Sequence, residues 1–119
     1  MKAADIKKRF EQEGFECFYQ GNSNKSFNIF LISPKGRISI GQYRGDVNKF
    51  QICNNSQLYI RETNEFLMKD KDLVFNICFT NEVTFGEIEP AIELAKKIVV
   101  EYKRLQERIE LLKIAMDNV

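Results

Sequence analysis

The C-terminal quarter of the chain keeps one apolar period from start to end, and this feature constrains the fold most. Apolar residues recur every three or four positions, at Ile88, Ala91, Ala95, Ile98, Tyr102, Leu105, Ile109, Leu112 and Met116. Such a heptad repeat is typical of an amphipathic helix. Pro90, Glu87 and Glu89 stand where proline and negative charge favour a helix start. We predict a helix over 87–116, which needs an apolar surface to lie on.

The middle of the chain, residues 15–79, has the period of β-strands instead. Side chains alternate between apolar and polar in six runs: Phe15/Cys17/Tyr19, Phe27/Ile29/Leu31, Ile38/Ile40, Phe50/Ile52, Leu58/Ile60 and Leu73/Phe75/Ile77/Phe79. Short turn-forming stretches rich in Gly, Asn, Asp and Ser separate the runs. Connections this short predict an antiparallel meander of five to six strands, with 65–69 undecided between strand and turn.

The run from Phe27 to Ile32 is apolar on both faces, because Phe30 and Ile32 point away from Phe27, Ile29 and Leu31. This pattern predicts an interior strand that is covered on both sides. Residues 2–13 have an amphipathic pattern and precede Gly14, which suits a left-handed helix end. The fold class expected is therefore α+β: a short N-terminal helix, the meander and the long helix packed on the sheet, in one domain over 1–119.

The distal half of the long helix, residues 103–116, looks different from the proximal half. Its apolar stripe narrows to the seam alone, while Leu111 and Ile114 appear on the other side among charged residues. Leaving such side chains in water forgoes about 1.5–3 kcal/mol each, so a partner surface is expected. We predict a homo-oligomer, with a dimer favoured, that uses the residues Tyr102, Leu105, Ile109, Leu111, Leu112, Ile114 and Met116. The alternative is that this segment folds back on the N-terminal helix or frays.

Catalytic chemistry has little to work with in this chain. There is no histidine, which removes the commonest general base and the usual zinc ligand. Cys17, Cys53 and Cys78 lie in strand runs without a Cys-x-x-Cys pair, so they are expected to be buried apolar residues. The carboxylates at Asp70 and Asp72 are typical of a solvated turn. We expect no enzyme activity, no cofactor and no metal.

The same cysteines, odd in number and widely spaced, indicate a reducing compartment rather than a disulfide framework. The chain begins without an apolar leader, and no apolar run approaches the ~20 residues that span a bilayer. We therefore expect a cytoplasmic protein without a membrane partner.

The overall charge is nearly balanced, with 18 basic and 17 acidic side chains, but the segment 33–53 is locally basic. Stacking of bases on tyrosines, with Arg and Lys on phosphates, is one way for a sheet to bind a single strand. An alternative function is thus single-stranded nucleic-acid binding, with the candidate residues Tyr19, Lys35, Arg37, Tyr43, Arg44 and Lys49. A solvated hairpin face explains the same residues.

The functional hypothesis from sequence is a non-catalytic protein-binding or assembly factor that oligomerises through its C-terminal helix. It would block or bridge a larger macromolecular machine, as inhibitors and accessory factors carried by mobile elements do. Base rates for small binding domains without histidine favour this idea, and no motif in the chain supports it.

Overall fold

The computed structural model describes residues 2–33, 36–54, 59–64, 73–78 and 81–117. The elements follow the order α1 (Ala3–Gln12), β1 (Glu16–Tyr19), β2 (Phe27–Ser33), β3 (Gly36–Arg44), β4 (Lys49–Cys53), β5 (Tyr59–Asn64), β6 (Leu73–Cys78), β7 (Glu82–Phe85) and α2 (Ile88–Asp117). The predicted α+β fold is confirmed: a short helix, an open antiparallel sheet and a long helix packed on that sheet. The undecided segment 65–69 lies outside the described residues.

The main sheet has five strands in the order β1-β2-β3-β4-β7, all antiparallel. The first four strands follow the chain, as a meander does. β7, which the sequence did not predict, pairs with β4 and brings Cys53 opposite Glu82. Between them, β5 and β6 pair with each other in a separate two-stranded sheet. The chain therefore leaves the main sheet after β4 and returns to it with β7.

Alternation along the strands gives the main sheet one apolar face, which we call the inner face. Its core is a cluster of aromatic rings, with Tyr43 between Phe27 and Phe50 at centroid distances of 5.4 and 4.8 Å. Phe10 of α1 packs against Phe27 and Phe50 from above. The aliphatic side chains Ile29, Leu31 and Ile52 complete the strand contribution. Burial of these large rings provides the main stabilisation of the sheet.

Both helices pack on this inner face. Ile6 and Phe10 of α1 belong to the same buried cluster as Ala91, Ile92, Ala95 and Ile98 of α2. The prediction that β2 is covered on both sides is therefore wrong. β2 does lie inside the sheet, but its other face keeps Ile32 exposed. That opposite side, which includes Asn28, Phe30, Ile32, Gln42 and Gln51, is called the outer face below.

The end of α1 forms the junction between the two helices. Gly14 adopts φ +97°, the left-handed conformation that the sequence predicts for it. One turn earlier, Arg9 forms an ion pair with Glu13, and Lys96 of α2 places its Nζ 3.1 Å from Glu13 Oε2. Arg9 also approaches Glu89 at the start of α2, at 3.4 Å. The carboxylate of Glu13 thus links α1 to α2.

A register shift between Ile29 and Phe30 bends the pairing of β2 with β3. Gly41 lies on β3 just beyond this irregularity and is buried against β4. A Cβ atom on Gly41 would stand 2.3 Å from the backbone oxygen of Gln51, which is closer than real Cβ contacts allow. Close approach of the two backbones therefore requires glycine here.

Candidate interaction surfaces

The inner seam of α2 is buried along most of its length, including part of the half that the sequence assigned to a partner. Tyr102, Leu105 and Ile109 are 9%, 4% and 1% exposed. α2 contacts β4 and β7 of the main sheet and also both strands of the β5–β6 sheet. The prediction that Tyr102, Leu105 and Ile109 are available to a partner is therefore wrong for the folded chain. A second sheet, whose position the local sequence does not reveal, provides additional surface for this helix.

Tyr102 has a defined place at the end of β2. Burial raises the pKa of its hydroxyl, while hydrogen bonding with Ser33 and Gln106 lowers it, and the net shift is upward. An open groove of about 360 Å³ adjoins this side chain, between the end of β2 and α2. Leu31 and Ile32 form its apolar wall, and Glu107 and Glu110 line its α2 side.

The opposite side of α2 carries a second heptad stripe, which we call the outer stripe. It consists of Val100, Arg104, Glu107, Leu111 and Ile114, spaced four, three, four and three residues apart. Val100, Leu111 and Ile114 are 69%, 68% and 56% exposed. Three large apolar side chains thus follow the spacing of a helix-pairing seam on a face that the described part of the chain leaves exposed.

The other predicted members of the partner site divide between these two sides. Leu112 is 38% exposed and continues the inner seam, three residues after Ile109. Met116 lies in the last turn of α2, and its side chain is outside the described residues. The sequence identified Leu111 and Ile114 correctly as exposed. It missed Val100, although Val100 lies fourteen residues before Ile114, at the same heptad position.

Charged residues alternate in sign around the outer stripe. Arg104 Nε donates a hydrogen bond to Glu101 Oε2 at 3.1 Å, and this contact lowers the pKa of Glu101. Lys103, Arg108 and Glu110 are exposed on either side of the seam. The surface therefore combines apolar groups with charges of both signs along one continuous helix.

The predicted nucleic-acid residues do not form one surface. Tyr43 is 4% exposed on the inner face, its hydroxyl donates to Asn48 Oδ1 at 2.8 Å, and burial raises its pKa. Its proposed role in base stacking is wrong, because register places it opposite both Phe27 and Phe50 in the aromatic core.

Of the remaining candidates, Arg44 and Lys49 are register partners on β3 and β4, whereas Tyr19 and Arg37 lie elsewhere. Tyr19 lies at the edge under α1, where Lys7 Nζ stands 5.3 Å from its ring centroid. Arg37 and Arg44 are exposed, paired with Glu16 at 3.5 Å and Asp46 at 3.0 Å respectively. Two further candidates complete the set: Lys49 is exposed at the start of β4, and Lys35 lies outside the described residues.

The outer face of the sheet holds aromatic residues that sequence reasoning missed. Phe18 is 45% exposed and packs edge to face with Phe30 at 5.8 Å. The Arg37 guanidinium lies 4.6 Å from the Phe18 ring centroid. Beside them, side-chain amides form a hydrogen-bonded row across the strands, comprising Gln20, Asn28, Gln42 and Gln51. Alternation along β1 could have identified Phe18, because Phe18 lies on the same side of the strand as Glu16 and on the side opposite to Cys17.

Comparison with known proteins gives no match: no protein-family model, curated protein or solved structure resembles the chain. Within the described ranges, no group of three or more acidic, Cys or His side chains could hold a metal ion. No helix found there is long and apolar enough to cross a bilayer. The predicted turn carboxylates Asp70 and Asp72 are outside those ranges.

Cys17 and Cys53 are buried within the core. Burial raises the pKa of Cys17 and of Cys53 to about 12. At neutral pH a thiol with such a pKa is almost entirely protonated, and the thiolate is the nucleophilic form. Cys17 and Cys53 therefore have the character of packing residues.

Proposed function

We propose that this chain is a non-catalytic assembly protein that forms a homodimer through the outer stripe of α2. The observation that carries the proposal is the exposure of Val100, Leu111 and Ile114 at heptad spacing on one continuous helix. A heptad seam is the surface that a second helix fits by knobs-into-holes packing. A second copy of this chain brings such a helix with the same spacing.

The energy available is modest and favours a reversible dimer. Complete burial of a Val, Leu or Ile side chain stabilises by about 1.5–3 kcal/mol. More than half of each of these three side chains is exposed, so each copy can contribute at least half of that amount. Part of the sum offsets the loss of rotational and translational freedom on association.

The test is light scattering coupled to size exclusion over a range of protein concentrations. We expect a dimer that dissociates on dilution, and a monomer at all concentrations for the Leu111→Asp/Ile114→Asp variant. Val47→Asp is the control, because Val47 is also more than half exposed but lies in the turn between β3 and β4. A wild-type monomer at the highest concentration, or a dimer unchanged in the double variant, contradicts the proposal.

A second candidate function is binding of single-stranded nucleic acid on the outer face. The observation that favours it is the exposed Phe18 ring beside Phe30, with the Arg37 guanidinium over it. Exposed aromatic rings on a sheet stack with bases, and neighbouring amides can reach base edges. This surface replaces the predicted site around Tyr43.

Fluorescence anisotropy with a labelled oligonucleotide tests this second candidate. Binding should weaken as salt rises, because phosphate contacts release counterions. The Phe18→Ala/Arg37→Ala variant should lose binding, whereas Lys7→Ala, on the α1 side, should retain it. Absence of any salt-sensitive binding at low ionic strength excludes the candidate.

A further inference from the structure

The charges around the outer stripe of α2 are self-complementary in one arrangement of two copies. We infer that the dimer pairs α2 with α2 in an antiparallel orientation, about a two-fold axis between residues 105 and 106. This inference rests on the proposed homodimer and adds the orientation and register of its interface. The arrangement follows from the positions of seven charged and three apolar residues on one helix.

Along the seam, the axis matches each residue with a complementary one. Val100 faces Leu111 of the second copy, so one apolar pair lies on each side of the central charged residues. Arg104 faces Glu107 of the second copy, and the symmetry repeats this contact. Further out, Ile114 meets the stem of Lys97 from the second copy, whose methylene groups can cover it while its ammonium reaches water.

The residues beside the seam match as well. In antiparallel helix pairs, a residue just before a seam position in one helix neighbours a residue just before a seam position in the other helix. Residues just after seam positions neighbour each other in the same way. Lys103 therefore lies next to Glu110 of the second copy on one side. Glu101 lies next to Arg108 of the second copy on the other side. No like charges meet among these residues, and all of their contacts occur twice because of the two-fold axis.

Other arrangements oppose like charges. A parallel pair would place Arg104 against Arg104 and Glu107 against Glu107 inside the seam, with Lys103 close to Arg108. Moving the antiparallel axis half a heptad toward the C-terminus would bring Glu110 against Glu110 and Arg108 against Arg108. Moving it further shortens the overlap, because α2 ends at Asp117.

These charges select the orientation more than they add affinity. An exposed ion pair contributes only about 0.2–1 kcal/mol, and screening by salt reduces it. In coiled coils, flanking and seam charges determine orientation and partner choice in this way. The paired segment from Lys97 to Ile114 would span ~26 Å of helix at 1.5 Å per residue.

Disulfide trapping in a Cys78→Ser background tests the register, since Cys17 and Cys53 are buried. We expect an equimolar mixture of Val100→Cys and Leu111→Cys proteins to form a cross-linked heterodimer under mild oxidation. Neither protein alone should cross-link, because a disulfide needs Cα atoms within about 7 Å. Cross-linking of Val100→Cys alone would show a parallel pair and overturn the inference.

Light scattering on the same samples separates the two claims. A dimer that gives no mixed cross-link refutes the antiparallel register but leaves the homodimer standing. A monomer in the unmodified protein refutes the homodimer itself, and the register with it.

A charge exchange provides an independent measurement of the same register. Arg104→Glu and Glu107→Arg should each weaken the dimer by roughly tenfold, because each replaces two attractions by two repulsions. The double variant Arg104→Glu/Glu107→Arg should restore the wild-type dissociation constant. In a parallel pair, residue 104 faces residue 104 and residue 107 faces residue 107, so like charges meet in the wild type and in every variant. Equal affinity in all four proteins would therefore refute the antiparallel register.

Discussion

Ile109 allows a direct test of whether the distal half of α2 belongs to the core of the chain. Its side chain is 1% exposed, whereas Ile114, five residues later on the same helix, is 56% exposed. Ile109→Ala removes three buried carbon atoms, worth about 0.8 kcal/mol each in transfer, and adds the cost of a cavity. We expect a loss of about 2–5 kcal/mol in the free energy of unfolding. Ile114→Ala removes the same atoms from a solvated face and should cost less than about 0.5 kcal/mol in the monomer.

Urea denaturation followed by circular dichroism measures both variants, at a concentration where light scattering shows a monomer. With a slope of about 1–3 kcal/mol per molar urea, Ile109→Ala should lower the midpoint by about 1 M or more. Ile114→Ala should leave the midpoint near that of the wild type. Equal midpoints for the two variants would refute the reasoning, because burial of Ile109 within its own chain would then make no energetic contribution.

Two further predictions concern the backbone and the pH dependence. Gly41→Ala should lower the free energy of unfolding by about 1–3 kcal/mol or more, measured by the same denaturation, because its Cβ would collide with the Gln51 carbonyl oxygen. Hydrogen bonds from Arg9 and from Lys96 hold the pKa of Glu13 below its usual value. The resulting stability is present above the unfolded-state pKa near 4.5 and is lost as pH falls, so Glu13→Gln should flatten the acid side of the stability profile.

The backbone prediction has a control on the same chain. Gly86→Ala should change stability little, because its Cβ would meet only the flexible end of Lys49. Equal losses of stability at Gly41 and Gly86, or an acid-side profile unchanged in Glu13→Gln, would show that the named contacts are not the cause.

The sequence predicts those parts of the fold that depend on local periodicity. The bounds of α1 and α2, the positive φ of Gly14 and the order of β1 to β4 follow from apolar spacing and from turn residues. β7 was missed because four residues with only Val83 and Phe85 apolar carry too short a pattern. Its partner β4 is separated from it by the whole β5–β6 segment, and such non-local pairing leaves no periodic signal.

The candidate surfaces were predicted less completely, for two physical reasons. The spacing of Leu105 and Ile109 suits packing on a partner as well as packing on the core of the same chain. A heptad repeat does not specify which surface the helix packs against. Tyr43 lies on the inner face because the register of β2 with β3 shifts between Ile29 and Phe30, whereas alternation counted from Ile38 and Ile40 would place it on the outer face. In β1, whose pairing has no such shift, alternation from Cys17 places Phe18 on the outer face. Alternation within a strand therefore indicates exposure only where no irregularity interrupts it.

The chain leaves the main sheet after β4 and returns to it with β7, so the segment between these strands could be removed without interrupting the sheet. The ends of this excursion are held together, with Cys53 opposite Glu82 and the Asn54 amide donating to the Asn81 carbonyl oxygen at 2.9 Å. A short turn could join residues 54 and 81 and leave the five-stranded sheet continuous. Such a shortened chain would lose the β5–β6 contacts with α2. Removal of the β5–β6 segment would therefore expose the part of α2 that it contacts.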